Sequence, residues 1–100
     1  MTEQFKVGTV HVIDDNDVED LIDIIEKIDG PIVDKLYELG FELEEDIGVV
    51  TVSKDGVAIV TYELYVIKDE AFVNITTLNS QLSEQLIETI KTSAINSLTI

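Results

Sequence analysis

The spacing of apolar residues along the chain changes between two periods, and these changes divide the sequence into elements. Four stretches are rich in β-branched and aromatic residues or alternate between apolar and polar positions, which predicts strands. They cover residues 5–13, 41–53, 57–67 and 71–78. Asp55-Gly56 is a typical central pair of a tight hairpin turn, and a second turn is predicted at 68–70. Two hairpins indicate a mainly antiparallel sheet.

Apolar residues at a spacing of three and four predict helices. The stripe from Val18 to Ile28 predicts a first helix at about 17–28. Pro31 lacks a backbone donor and disfavours helical geometry at the preceding residue, so a separate short helix is expected at 31–39. A third is predicted at about 80–95. We therefore expect one α+β domain over residues 1–100, ordered β-α-α-β-β-β-α, with about four strands and with three helices on one face of the sheet.

Charge is distributed very unevenly over this pattern. The formal net charge is −15, and the segment from Asp14 to Asp46 holds fourteen acids against two lysines, a net charge of −12. Charge of this kind bears on partners and solubility more than on fold. The rest of the chain is close to neutral in comparison, so the acidity is local.

Several function classes are disfavoured by what the sequence lacks. Cysteine is absent, which removes disulfides and zinc–sulfur sites. Arginine is absent too and the six lysines are scattered, so direct nucleic-acid binding is not expected. No apolar run approaches the roughly 18 residues of a membrane span, and no signal peptide is recognisable. We expect a soluble, cytoplasmic protein with no membrane association.

No pattern of residues indicates catalysis, a cofactor or a specific metal site. The single histidine, His11, falls in a predicted strand and is interpreted as an ordinary partly exposed side chain. Neither a nucleophile motif nor a glycine-rich phosphate loop is present. The acids between Asp15 and Glu26 match the ligand spacing of a calcium loop, but Asp20 stands where the sharp bend requires glycine. We therefore expect a protein that is not an enzyme.

Part of the acidic segment has an explanation in helix formation. The acids from Asp14 to Asp20 precede or begin a predicted helix, where carboxylates cap free amides and meet the positive end of the helix dipole. Asp23, Glu26 and Asp29 lie toward the other end of that helix, where acids are unfavourable. The acids from Glu42 to Asp46 lie in a predicted strand, where acids are depleted. These two groups need another explanation.

A helix can also present carboxylates at a density close to that of DNA phosphates. Four acids between Glu19 and Glu26 span roughly 10 Å of helix, compared with about 3.4 Å per phosphate along one DNA strand. In size, acidity, lack of cysteine and charge layout the chain resembles small phage-encoded DNA-mimic proteins, which inhibit host DNA-binding proteins such as the nucleoid protein HU. The residues that carry the resemblance, called here the acidic set, are Asp14, Asp15, Asp17, Glu19, Asp20, Asp23, Glu26, Asp29, Glu42, Glu44, Glu45 and Asp46.

The resemblance implies a protein that occupies the basic DNA-binding surface of another protein and blocks it during viral takeover of a host cell. An alternative is a homo-oligomeric interaction or assembly protein, for example a homodimer, in which the acidic face serves solubility. In that case the apolar second face of the strand at 57–67 stays uncovered and self-associates. The residues expected on that face are Val57, Ile59, Tyr65 and Ile67.

Overall fold

The computed structural model describes residues 2–10 and 18–98, with the backbone alone at 18–20 and 82. Five strands and two helices are described, and their order along the chain is β-α-β-β-β-β-α. The elements are β1 (Thr2–Thr9), α1 (Val18–Glu38), β2 (Glu42–Asp46), β3 (Val49–Lys54), β4 (Val57–Ile67), β5 (Glu70–Thr77) and α2 (Ser80–Leu98).

The strands form one antiparallel sheet in the order β1-β5-β4-β3-β2. Strands β2 to β5 follow one another as hairpins, and β1 adds to the free side of β5. The predicted α+β class with a mainly antiparallel sheet is confirmed. The predicted numbers of strands and helices are wrong, because one expected strand is two strands and two expected helices are one helix.

The expected strand at 41–53 is split by a turn at Ile47-Gly48. Both residues have positive φ, 50° and 78°, and Asp55-Gly56 has nearly the same pair of values, 54° and 79°. Positive φ at both central residues is the type I′ geometry, which matches the twist of the flanking strands. The second turn was predicted from its Asp-Gly sequence. The first was missed because a β-branched residue rarely adopts positive φ.

The expected break at Pro31 does not occur, and α1 runs without interruption from Val18 to Glu38. Ile28, Ile32 and Leu36 are all fully buried and lie four residues apart, so the apolar stripe continues in phase through the proline. Proline removes the donor for the carbonyl of Lys27. Both Pro31 and Lys27 are exposed, so water can satisfy that carbonyl while the buried side of the helix keeps its packing.

Both helices cover the same face of the sheet. Strand β4 contributes Val60, Tyr62 and Leu64 to this face. They pack against the buried stripe of α1 and against Leu86 and Ile90 of α2, and together these residues form the core. The helices also contact each other, which closes the second layer. The opposite face of the sheet carries no helix within the described residues, and we call it the open face. Neither α1 nor α2 is long and apolar enough to cross a membrane.

Candidate functional site

The described members of the acidic set lie on two elements, the helix α1 and the strand β2. On α1, Asp23 and Glu26 are exposed and Asp29 is half-buried. All four acids of β2 are exposed. Glu19 and Asp20 belong to the first turn of α1. Asp14, Asp15 and Asp17 lie outside the described residues, as does His11.

Strand β2 carries its acids on both of its faces. Leu43 and Glu45 pair with Val52 and Val50, which are buried under the helices, so they share the helix-covered face. The three acids at alternate positions point to the open face, where their partners on β3 are Ser53, Thr51 and Val49. These acids are Glu42, Glu44 and Asp46. The end of the sheet is therefore negatively charged on both sides of one strand.

Asp29 connects the two acidic elements. Its carboxylate oxygen Oδ1 accepts a hydrogen bond of 2.7 Å from the hydroxyl of Tyr62, a buried residue of β4. Burial raises the pKa of Asp29, the Tyr62 hydrogen bond opposes that rise, and the negative charge of Glu45 adds to it. Glu45 of β2 therefore lies close enough to Asp29 of α1 for the two carboxylates to repel each other.

The same contact gives Asp29 a role in folding that the sequence did not indicate. Tyr62 is almost completely buried, and a buried hydroxyl needs a hydrogen-bond partner. Burial raises the pKa of Tyr62 and the neighbouring Asp29 raises it further, so Tyr62 stays protonated and acts as the donor. Asp29 is accounted for by this contact, whereas Asp23, Glu26 and the acids of β2 are not.

The exposed acids have few cations near them. Two ion pairs join described residues, Lys6 with Glu70 at 3.0 Å and Lys35 with Glu38 at 3.8 Å. Neither pair involves the acidic set. Lys54 and Lys91 lie over the rings of Phe41 and Phe5. Within the described part of the chain, the charge of the acidic set is thus left for solvent or a partner to neutralise.

The residues expected on an apolar second face are only partly there. Ile67 is exposed and lies with Tyr65 on the open face, where the Tyr65 ring stacks on Phe72 with 5.4 Å between centroids. Val57 is exposed too, but it pairs with Lys54 beyond a bulge and therefore lies on the helix-covered side of the sheet. The hydroxyl of Tyr65 also accepts a hydrogen bond from Gln4. The prediction for Ile59 is wrong, because Ile59 is fully buried. It is the extra residue of a β-bulge opposite Val52 and Ser53, which breaks the alternation of faces.

A groove at the other end of β2 was not predicted. It has a volume of about 500 Å³ and lies between the end of α1, the β3–β4 turn and α2. Leu39, Phe41, Val57 and Leu86 form its apolar wall. Three segments that are distant in sequence build the groove, so local patterns carry no signal for it.

The described residues do not form a metal-binding cluster. Among 2–10 and 18–98, no group of three or more histidine, cysteine or acidic residues is arranged to hold a metal ion. The calcium-like spacing that begins at Asp15 includes residues outside these ranges.

Neither a protein-family model, nor a curated protein, nor a solved structure matches this chain.

Proposed function

We propose that this protein is a DNA mimic, which binds the basic DNA-binding surface of another protein and so blocks its access to DNA. The observation that carries the proposal is the proximity of Glu45 on β2 to Asp29 on α1, which brings together two acidic elements that are separated in the sequence. Exposed acids continue from that point along α1 and along β2.

The spacing of these acids is close to that of DNA phosphates, so they can contact a partner surface that binds phosphates. Asp23 and Glu26 are separated by about 4.5 Å of helix rise, and successive acids on the open face of β2 by about 6.6 Å of strand. One DNA strand carries a phosphate about every 3.4 Å along the helix axis. The helix and the strand therefore offer carboxylates at intervals of about one to two phosphates.

Packing supports the proposal by holding these charges in place. The buried stripe of α1 fixes the helix on the sheet, and β2 is fixed by its pairing with β3. A rigid set of like charges needs little reordering when it binds, which favours affinity. A partner of opposite charge relieves the repulsion among them and a partner of like charge increases it, which gives selectivity for basic surfaces.

Binding of this kind is dominated by electrostatics. Association is fast at low ionic strength and weakens as salt screens the charges over a Debye length of about 8 Å at physiological salt. The partner is a basic, DNA-binding protein, with nucleoid proteins of the HU type as the model case, and no nucleic acid binds directly. The encounter takes place in the cytoplasm, that of the host if the protein is encoded by a phage, and needs no catalysis or cofactor.

The proposal is tested by competition for a nucleoid protein of the HU type bound to a labelled DNA duplex, followed by fluorescence anisotropy at several salt concentrations. The protein should displace the DNA at low salt and lose this ability as salt rises. Failure to displace DNA at low salt contradicts the proposal for that target class.

A matched pair of variants separates a specific surface from overall charge. The first variant changes four acids of the acidic set to amides, at Asp23, Glu26, Glu44 and Glu45. The second changes four exposed acids elsewhere, at Asp55, Asp69, Glu84 and Glu88. Both lose the same charge. The first should compete about tenfold less well and the second almost normally, because contacts with the partner depend on position. Equal losses would show that only net charge matters.

The open face supports a second candidate function, self-association as a homodimer. Ile67 is exposed there, and Tyr65 and Phe72 form a stacked apolar pair. Farther along β4 the face is more polar, at Glu63 and Thr61. Light scattering at high protein concentration tests this candidate, and a protein that stays monomeric argues against it. If the protein is a dimer, the Ile67→Lys variant should be a monomer.

A further inference from the structure

Strand β2 offers a binding surface made of main-chain groups as well as of charges. It is the last strand of the described sheet and pairs with β3 on one side only. A strand in this position presents a row of unpaired backbone N–H and C=O groups. All four acids of β2 are exposed beside this row, so the edge is open to solvent.

The geometry of the hairpin defines which groups are free. Two residues form the β2–β3 turn, so Asp46 and Val49 flank it and exchange both hydrogen bonds of their pair. Bonded and non-bonded pairs alternate along an antiparallel ladder. Glu44 and Glu42 therefore also bond to β3. Leu43 and Glu45 direct their N–H and C=O groups away from β3, toward the free edge.

The charges of β2 decide what can bind this edge. Four of its five residues are acidic, so a second copy pairing with the same strand would place acids opposite acids. Like charges directly opposite each other destabilise a strand pair, whereas opposite charges stabilise it. The edge thus rejects self-pairing and selects a basic strand.

We propose that the edge of β2 accepts an extended basic segment of a partner protein as a sixth strand. The main-chain groups of Leu43 and Glu45 bond to the added strand, and its lysine or arginine residues, at every second position, lie opposite Glu42, Glu44 and Asp46. Those positions are the non-bonded pairs of the new ladder, where side chains come closest. The inference rests on the proposed function only in requiring a basic partner, and the tests below separate the two.

The first test uses two synthetic peptides of identical composition. One has lysine at every second position among threonine and valine, and the other has its lysines in one block. Strand addition predicts that the alternating peptide binds about tenfold more tightly, because only it matches the pairing register. The amides of Leu43 and Glu45 should also become protected from hydrogen exchange in its complex. Equal affinities and no protection at these two amides would overturn the proposal.

A second test removes one main-chain donor without an additional change of charge. Glu45→Pro and Glu45→Gln both lose the carboxylate, but only the proline variant loses the outward N–H. Proline is tolerated on an edge strand where the N–H faces solvent. We expect Glu45→Pro to bind the alternating peptide about tenfold more weakly than Glu45→Gln. Equal binding by two folded variants, with folding checked by circular dichroism, contradicts strand addition.

If the proline variant does not fold, N-methylated peptides test the same main-chain hydrogen bonds from the side of the peptide. N-methylation of alternate peptide residues blocks one edge of the peptide, and N-methylation of the intervening residues blocks the other. Only one of the two sets should abolish binding to the unmodified protein. If neither set matters while the protein still displaces DNA from its target, strand addition is wrong and the DNA-mimic proposal stands. If one set abolishes binding but DNA is never displaced, strand addition stands and the DNA-mimic proposal fails.

Discussion

The hydroxyl of Tyr62 donates a hydrogen bond of 2.7 Å to the carboxylate of Asp29, and this contact joins the middle of α1 to the central strand of the sheet. The two residues are 33 positions apart. Among the described members of the acidic set, Asp29 is the one whose side chain is bonded into the layer between helix and sheet. Its contribution to stability can therefore be separated from any contribution to binding.

Removing the Tyr62 hydroxyl should destabilise the fold and change the titration of Asp29. Tyr62→Phe leaves a half-buried carboxylate without its donor, which costs about 1.5–3 kcal/mol for a hydrogen bond to a charged group. Because that hydrogen bond holds down the pKa of Asp29, the pKa should rise further in the variant. Urea unfolding measures the first effect and an NMR titration of the carboxyl carbon measures the second. An unchanged pKa would mean that the contact does not persist in solution.

Asp29 should make the protein less stable as the pH rises above 3.8, which is the pKa of its carboxyl group in the unfolded chain. Its pKa is raised in the folded protein, so between the unfolded and folded pKa values the folded state binds more protons. The unfolding free energy therefore decreases with pH in that window, and the stabilisation is lost as pH passes the folded pKa. Asp29→Asn removes this dependence and keeps an acceptor for Tyr62.

The measurement is urea unfolding of the original protein and of Asp29→Asn at a series of pH values above 3.8. The difference between the two curves isolates Asp29 from the other acids, and Glu26→Gln serves as a control at an exposed site on the same helix. Parallel curves for the original protein and Asp29→Asn would contradict a raised pKa.

Gly30 should be a site where alanine brings no gain in stability, although it lies inside a helix. Alanine in a helix interior is favoured over glycine by about 0.5–1 kcal/mol, and a Cβ added to Gly30 meets no atom within 4 Å outside the two neighbouring residues. Gly30 precedes Pro31, however, and the proline ring clashes with the Cβ of a preceding residue in helical conformation. Gly30→Ala should therefore stabilise the protein in a Pro31→Ala background but not in the original protein. Thermal unfolding compares the two backgrounds, and an equal gain in both would contradict the clash.

The continuity of α1 shows where local sequence rules reach their limit. Proline at position 31 predicts a break because it removes a donor from the helix. The sequence also contains the pattern of one continuous helix, since Ile28, Ile32 and Leu36 keep the same helical phase across the proline. Packing of three fully buried side chains outweighed the loss of one hydrogen bond on the exposed side. The strands β4 and β5 lack such a conflict, and their ranges were predicted to within one residue.

The candidate site was predictable as a charge pattern but not as a geometry. The acids of β2 were singled out because acids are rare in strands, a purely local argument. The electrostatic proximity of Glu45 to Asp29 and the Tyr62 contact depend on how α1 crosses the sheet, which no short stretch encodes. Ile59 illustrates the same limit, because a single bulge moves it from the expected exposed face into the core.

Ile47 should be replaceable by asparagine with a gain in stability. It is 96% exposed and has φ of 50°, so it buries no surface and adopts a backbone conformation unfavourable for a β-branched residue. Asparagine followed by glycine is a preferred type I′ pair, so Ile47→Asn should stabilise the protein by about 1 kcal/mol. Ile47→Val is the control: it keeps the β-branch and should leave the unfolding free energy unchanged. Urea unfolding compares the three proteins, and equal stability of all three would mean that the turn is not strained in solution.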